Sequence, residues 1–132
     1  MQAMFESLDF IYSPSADVAA ELAHFELVLG ARVLFAIEEM GTRVAMLEPA
    51  PGGPRLLLAG HLEGERPVLV YRVGDLEAAT DELHGRGLSG GRMIELPMGR
   101  AYSFSTPAGV RLALYEATRP GVVRHFEGRR DF

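Results

Sequence analysis

The sequence predicts an α+β fold made of two copies of one βαβββ module. Two internal matches indicate the duplication. PGGPRLLLA at 51–59 reappears as PAGVRLALY at 107–115, and apolar alternation followed by an Asp-capped helix start occurs at both 11–22 and 69–80. The order of elements agrees, because each half reads strand, helix, strand, strand, strand. Since a unit of this size cannot bury a good core alone, the two copies are expected to pack together.

The first module is expected to begin with a short apolar strand at 8–12 and a helix capped by Asp17. Apolar residues recur at helical spacing along one helix face, and Gly30 stands where a left-handed residue commonly ends a helix. That face consists of Val18, Leu22, Phe25 and Leu29. Three strands follow, because segments rich in Val, Ile, Leu and Phe are separated by turns that contain Gly. Their expected ranges are 32–39, 42–48 and 54–60.

The second module repeats this order. A strand at 68–73 precedes a helix that Asp75 caps and that Gly85 and Gly87 end. Its inward-facing residues are expected to be Leu76, Ala79 and Leu83. Three further strands complete the module, at 92–96, 100–105 and 110–116. The remaining residues, 119–132, include four arginines, and a solvated arm is expected there, with a short helix against a partner as the alternative.

Composition excludes several function classes. The chain has 132 residues, no Cys, and thirteen basic residues that are all Arg. The lack of Cys removes disulfides, thiolate nucleophiles and Cys-ligated metals, while the lack of Lys removes lysine Schiff bases and a P-loop. A net charge of −5 argues against nucleic acid as a partner, and no apolar run is long enough to span a membrane. We therefore expect a cytoplasmic domain that contacts neither nucleic acid nor membrane.

Two motifs link the chain to a known family. The Asp17-capped helix ends in HFELVLG at 24–30, and TPAG at 106–109 precedes the last strand. In this order, within a doubled βαβββ pattern, they resemble the vicinal-oxygen-chelate superfamily, which includes glyoxalase I, extradiol dioxygenases, fosfomycin-resistance enzymes and bleomycin-resistance proteins. The resemblance covers roughly residues 5–117.

The resemblance implies a curled mixed sheet around a cup, with the helices on the outer face. It places a single glyoxalase-like domain at 1–117, with repeats at about 4–61 and 67–117, followed by an Arg-rich C-terminal tail at 118–132. It also implies a homodimer, because proteins of this family commonly pair by exchanging or abutting modules.

In the enzymes of this superfamily, each module supplies metal ligands to the cup, a His on its first strand and a Glu on its last. The matching positions here are all apolar, namely Phe10, Leu57, Val68 and Ala113. Hard divalent cations require carboxylate oxygen or imidazole nitrogen, so neither a metal nor another cofactor is expected. The histidines show no paired ligand spacing and are interpreted as ordinary surface or capping residues. They are His24, His61, His84 and His125.

Strand alternation predicts which side chains share the face of the former metal positions. The predicted ligand-binding residues are Phe10, Tyr12, Val68, Val70, Arg72, Arg111, Ala113 and Tyr115. An apolar and aromatic lining with guanidinium groups near its rim suits a planar or amphipathic small molecule, because aromatic faces stack and Arg pairs with a carboxylate or phosphate. The alternative is that these side chains only fill the cup.

These observations favour a metal-independent small-molecule-binding protein of the glyoxalase/bleomycin-resistance type, which sequesters or senses an aromatic or anionic ligand. The alternative is a lyase, isomerase or dioxygenase-like enzyme of the same superfamily. That enzyme would use Glu48 or Glu95 as a general base, or a metal held by residues that the motifs do not identify.

Overall fold

Each half of the chain folds as a βαβββ module, as the duplicated sequence predicts. The computed structural model describes residues 4–132. Two compact units are formed. One consists of Asp9–Pro67 with Arg124–Phe132, and the other consists of residues 4–8 with Val68–Val123. We call the first of these units the N-module and the second the C-module. The predicted α+β class and the doubled element order are confirmed.

The N-module contains a four-stranded mixed sheet in the order β2-β3-β4-β1. The neighbours β2/β3 and β3/β4 are antiparallel, whereas β1 and β4 are parallel. The parallel pair follows from the topology, because β4 returns beside β1 after the helix and the β2–β3 hairpin. The elements are β1 (Ser7–Pro14, within the N-module from Asp9 onward), α1 (Val18–Ala23), β2 (Arg32–Glu39), β3 (Thr42–Glu48) and β4 (Arg55–Ala59).

Helix α1 starts and packs as predicted, but its C-terminal end differs. The Asp17 carboxylate accepts the Ala20 N–H at 3.0 Å, and Val18 and Leu22 are buried against the sheet. The helix then continues as a π-helix over His24–Val28. A π-turn contains more residues than an α-turn and rotates the residues that follow it. As a result Leu29, expected on the buried face, is 58% exposed.

The C-module repeats the same arrangement, with strand order β5-β8-β7-β6 and a parallel pair formed by β5 and β8. Asp75 caps its helix by accepting the Ala78 N–H at 3.0 Å. Leu76 and Ala79 are buried and Leu83 is partly buried, as predicted. The elements are β5 (Val68–Arg72), α2 (Leu76–Gly85), β6 (Arg92–Leu96), β7 (Gly99–Ser105) and β8 (Arg111–Tyr115).

The C-terminal segment is not a solvated arm, contrary to the expectation from its arginines. It forms a short helix, α3 (Val122–Phe126), and then runs along the free edge of β2 in the N-module. Gly128 N–H donates to Leu34 O at 2.8 Å, and Ala36 N–H donates to Arg129 O at 2.8 Å. An unpaired strand edge exposes backbone donors and acceptors, so this segment satisfies groups that would otherwise meet only water.

Charged and aromatic side chains hold the segment in place. Arg129 lies 2.9 Å from Glu39, and Arg130 lies 3.1 Å from Glu26. The Phe132 ring packs against the N-module core, and the Arg43 guanidinium lies 4.9 Å from its centroid. Arg129 and Arg130 therefore neutralise acidic residues of the same module. Within residues 4–132, no helix combines the length and apolarity needed to cross a bilayer.

Candidate functional site

Each module's sheet has one face against its own helix and one face turned away from it. In the N-module, Ala45, Leu47 and Leu58 pack with α1. Neighbouring residues along a strand point to opposite faces of the sheet, so the residues next to these three lie on the opposite face. Residues that pair in register with those neighbours share the same opposite face. We call this opposite face of either module its distal face. On the N-module it comprises Phe10, Tyr12, Met46, Glu48, Arg55 and Leu57.

The distal face of the N-module carries buried carbon side chains at both positions where the superfamily's enzymes hold a metal. Phe10 is 6% exposed and Leu57 is 1% exposed. Tyr12 pairs with Leu57 in register and is 7% exposed, and Met46 lies on the other side of Leu57. The predicted ligand residues Phe10 and Tyr12 thus share one apolar and aromatic surface.

Arg55 adds a charge to this surface, and sequence reasoning did not select it. It lies opposite Phe10 in the parallel β1–β4 register and is partly buried. Within residues 4–132, its guanidinium has no hydrogen-bond or ion-pair partner. A partly buried cation without a counter-charge is costly unless water or a ligand satisfies it. The internal repeat could have identified Arg55, because it matches the predicted ligand residue Arg111.

Tyr12 takes part in a hydrogen-bonded chain of three side chains at the end of β1. Its hydroxyl lies 3.0 Å from Nε2 of His61, and Nδ1 of His61 lies 3.3 Å from Oγ1 of Thr42. Burial raises the pKa of the Tyr12 phenol above its ordinary value, so the hydroxyl stays protonated. The sequence suggested only a surface histidine at position 61. The parallel register reveals its role, because a residue just past β4 lies beside the end of β1.

The distal face of the C-module gathers the six other predicted ligand residues. The parallel register pairs Val68 with Arg111, Val70 with Ala113, and Arg72 with Tyr115. Leu114 packs on the α2 side, so its alternates face away from the helix. Val68, Val70, Ala113 and Tyr115 are buried, whereas Arg111 is partly buried and Arg72 is exposed. The apolar members therefore form a floor, and the two arginines lie at its more accessible positions.

The two candidate general bases differ in position. Glu48 lies on the distal face of the N-module, where its side chain is 19% exposed and its Oε2 lies 3.7 Å from Nη2 of Arg32. Glu95 pairs with Arg100 in register and lies on the α2 side of the C-module, opposite that module's predicted ligand residues. Its carboxylate lies 3.0 Å from Arg119. The structure therefore keeps Glu48 as a candidate base and places Glu95 away from the distal face.

The superfamily's metal does not fit the matching residues of this chain. Phe10, Leu57, Val68 and Ala113 are all buried and carry only carbon side chains. They offer no lone pair to a hard cation, which binds carboxylate, carbonyl or imidazole groups. Over residues 4–132, no group of three His, Asp or Glu side chains is arranged to hold a metal.

A cavity of about 510 Å³ lies beside the start of α2 in the C-module. Two of its lining carboxylates are committed to that helix, because Asp75 accepts the Ala78 N–H and Glu116 accepts the Leu76 N–H, each at 3.0 Å. Its Arg119 is paired with Glu95. The two carboxylates position the helix and Arg119 neutralises Glu95 of a neighbouring strand, so we assign the cavity no ligand.

Comparison with known proteins gives matches at the level of structure. No protein-family model and no curated protein matches the sequence. Methylmalonyl-CoA epimerase from Mycobacterium tuberculosis is 22% identical, with 91% of this chain and 95% of that chain covered at a TM-score of 0.62. The Streptomyces coelicolor methylmalonyl-CoA epimerase is 20% identical, with coverages of 87% and 96% and a TM-score of 0.64.

A glyoxalase/bleomycin resistance protein/dioxygenase superfamily member from Vibrio splendidus 12B01 is 15% identical, with coverages of 81% and 95% and a TM-score of 0.60. At these identities the likeness concerns the fold. The chain therefore has the fold of the vicinal-oxygen-chelate superfamily, as its duplicated sequence and its two motifs predicted.

Proposed function

We propose that the protein binds a small planar or aromatic molecule that carries an anionic group, and that it sequesters or senses this molecule without using a metal. The ligand contacts the distal face of the N-module. The distal face of the C-module carries a second set of residues of the same chemical type.

One observation carries the proposal. On the N-module's distal face, the positions that match the superfamily's metal ligands carry the buried carbon side chains of Phe10 and Leu57. Arg55 is the register partner of Phe10 on the neighbouring strand, and its guanidinium has no partner within residues 4–132. An aromatic ring and a guanidinium on neighbouring strands suit a ligand whose ring packs on Phe10 while its carboxylate or phosphate pairs with Arg55. Such a ligand would also satisfy a cation that has no partner in residues 4–132.

The C-module supports the same type of ligand. Arg111 lies opposite Val68 just as Arg55 lies opposite Phe10, so the arrangement of apolar residue and guanidinium occurs in both modules. Tyr115 adds a buried aromatic ring to this second face. Each module thus carries an Arg at the start of its last strand.

Calorimetric titration with 1-naphthoate, an aromatic carboxylate, tests the proposal. We expect saturable binding to metal-free protein and a loss of about ten- to a hundredfold in Arg55→Met, because a hydrogen bond to a charged group contributes about 1.5–3 kcal/mol. Arg86→Met is the matched control, since Arg86 caps the C-terminal end of α2 and pairs with Glu82. Equal affinity in the two variants, or binding that requires an added divalent metal, would contradict the proposal.

The enzyme alternative is favoured by Glu48, a carboxylate on the same distal face with a side chain that is 19% exposed. A carboxylate so placed can accept a proton from a bound molecule. Incubating the protein with methylmalonyl-CoA in D₂O tests this directly. An epimerase exchanges the proton on the carbon between the two carbonyl groups for deuterium from the solvent. Deuterium incorporation that is abolished by Glu48→Gln would replace the binding proposal with the enzyme alternative, whereas a binding protein gives no incorporation above buffer.

A further inference from the structure

Hydrogen bonds link the side chains of Thr42, His61 and Tyr12 in series, and their directions define the role of the Tyr12 hydroxyl. The hydroxyl contacts Nε2 of His61 at 3.0 Å, and Nδ1 of the same ring contacts Oγ1 of Thr42 at 3.3 Å. A neutral imidazole has one donor nitrogen and one acceptor nitrogen, so the two contacts must run in opposite directions.

The phenol is the stronger acid of the two hydroxyl groups, and it is therefore the better donor to the imidazole acceptor. Its burial keeps it protonated, so it retains a proton to donate. The Tyr12 O–H then donates to Nε2 of His61, and Nδ1–H donates to Oγ1 of Thr42. Within residues 4–132 the Tyr12 hydroxyl makes no other hydrogen bond. Its oxygen lone pairs therefore accept no hydrogen bond from residues 4–132.

We propose that His61 and Thr42 fix the Tyr12 oxygen as a hydrogen-bond acceptor on the N-module's distal face, so that the site selects aromatic ligands carrying a hydroxyl or N–H donor. The inference rests on the proposed function, because it names a second polar group of the same ligand. Tyr12 and His61 act as one unit, in which His61 is a positioning residue and the Tyr12 oxygen makes the contact.

A second Tyr–His pair in the chain provides an internal control. Tyr102 lies 2.8 Å from Nε2 of His84, but its ring packs in the core beneath α2. The ring also lies so close to Gly91 that a Cβ there would be 2.1 Å from the Tyr102 hydroxyl. This pair ties α2 to its sheet and does not face a ligand.

The matched probes 1-naphthol and 1-methoxynaphthalene test the proposal, because they share a ring system and differ in the hydroxyl donor. We expect the wild-type protein to prefer 1-naphthol by roughly three- to tenfold, the effect of one neutral hydrogen bond. Tyr12→Phe and His61→Ala are expected to abolish the preference, whereas Tyr102→Phe keeps it. His61→Gln is expected to restore part of it, because its amide oxygen can accept a hydrogen bond from the phenol O–H.

Nitrogen NMR of ¹⁵N-labelled histidine supplies a readout that needs no ligand. At pH 8, where an imidazole is ordinarily neutral, we expect Nδ1 of His61 to carry the proton and Nε2 to be unprotonated. The opposite tautomer would overturn the proposal, and so would equal affinity of the wild-type protein for the two probes. Equal affinity leaves the proposed function standing, whereas failure of 1-naphthoate and both neutral probes to bind overturns the proposed function as well.

Discussion

Truncating the ring of Phe132 tests whether the C-terminal segment is part of the N-module. The ring packs against the core beneath α1 and lies under the Arg43 guanidinium at 4.9 Å. Removing a fully buried Phe side chain costs about 3–5 kcal/mol. Because Phe132 is only partly buried, we expect Phe132→Ala to lower the free energy of unfolding by about 1–2 kcal/mol.

For a domain of this size, that loss corresponds to a decrease in Tm of roughly 4–8 °C. Thermal unfolding followed by circular dichroism measures it. The control is Met40→Ala, because the Met40 side chain is 99% exposed and its truncation removes no buried surface. A Phe132→Ala protein that unfolds at the wild-type temperature would refute the packing of the C-terminal segment against the N-module. Rapid backbone motion of residues 128–132 in NMR relaxation would also refute it.

Three further outcomes are expected. Gly91→Ala is expected to destabilise the C-module by about 1–3 kcal/mol in chemical unfolding, because a Cβ there would overlap the Tyr102 ring; an unchanged midpoint would contradict this contact. Arg129 holds the pKa of Asp131 below its ordinary value, so this pair stabilises the C-terminal segment at pH values above the ordinary carboxyl pKa. That stabilisation is lost as the pH falls through the lowered pKa, and Asp131→Asn is expected to reduce the dependence of stability on acid pH. An unchanged dependence of stability on acid pH in this variant would argue against the pair. Sedimentation equilibrium of the full-length chain is expected to give the mass of a homodimer, and a monomer at all concentrations would contradict that expectation.

The fold was predictable because the signals that specify it are local and occur twice. Asp17 and Asp75 each accept a backbone N–H at the start of their helices, as their positions before apolar periodic segments predicted. The Gly-containing turns separate strands at nearly the predicted ranges. Two modules with the same order of elements leave few ways to form the sheets.

The differences arise where tertiary contacts override local pattern. Leu29 continues the apolar spacing of α1, but the π-turn at His24–Val28 rotates it outward. Residues 128–131 show no strand signal, and they form hydrogen bonds with β2 only because that strand offers an unpaired edge. An Arg-rich sequence predicts a solvated segment, because the sequence alone does not show that the acidic partners Glu26 and Glu39 lie beside it.

The candidate site was predictable in its apolar members and less so in its polar ones. Strand alternation alone placed Phe10 and Tyr12 on one face, because side-chain direction along a strand has period two. Arg55 and His61 required the parallel register of β1 and β4, which joins residues far apart in sequence. The facing of Glu95 also depended on pairing, since its strand carries no clear alternation of apolar and polar residues.

An ¹H–¹⁵N NMR titration of metal-free protein with 1-naphthoate tests metal-independent binding at the distal faces most directly. The Arg55 Nε–H signal and the backbone amides of Phe10, Tyr12 and Leu57 report on the N-module face. We expect saturable shifts at these positions and at Val68–Arg72 and Arg111–Tyr115 of the C-module. Shifts elsewhere only, or shifts that appear at the distal faces only after a divalent metal is added, would contradict metal-independent binding.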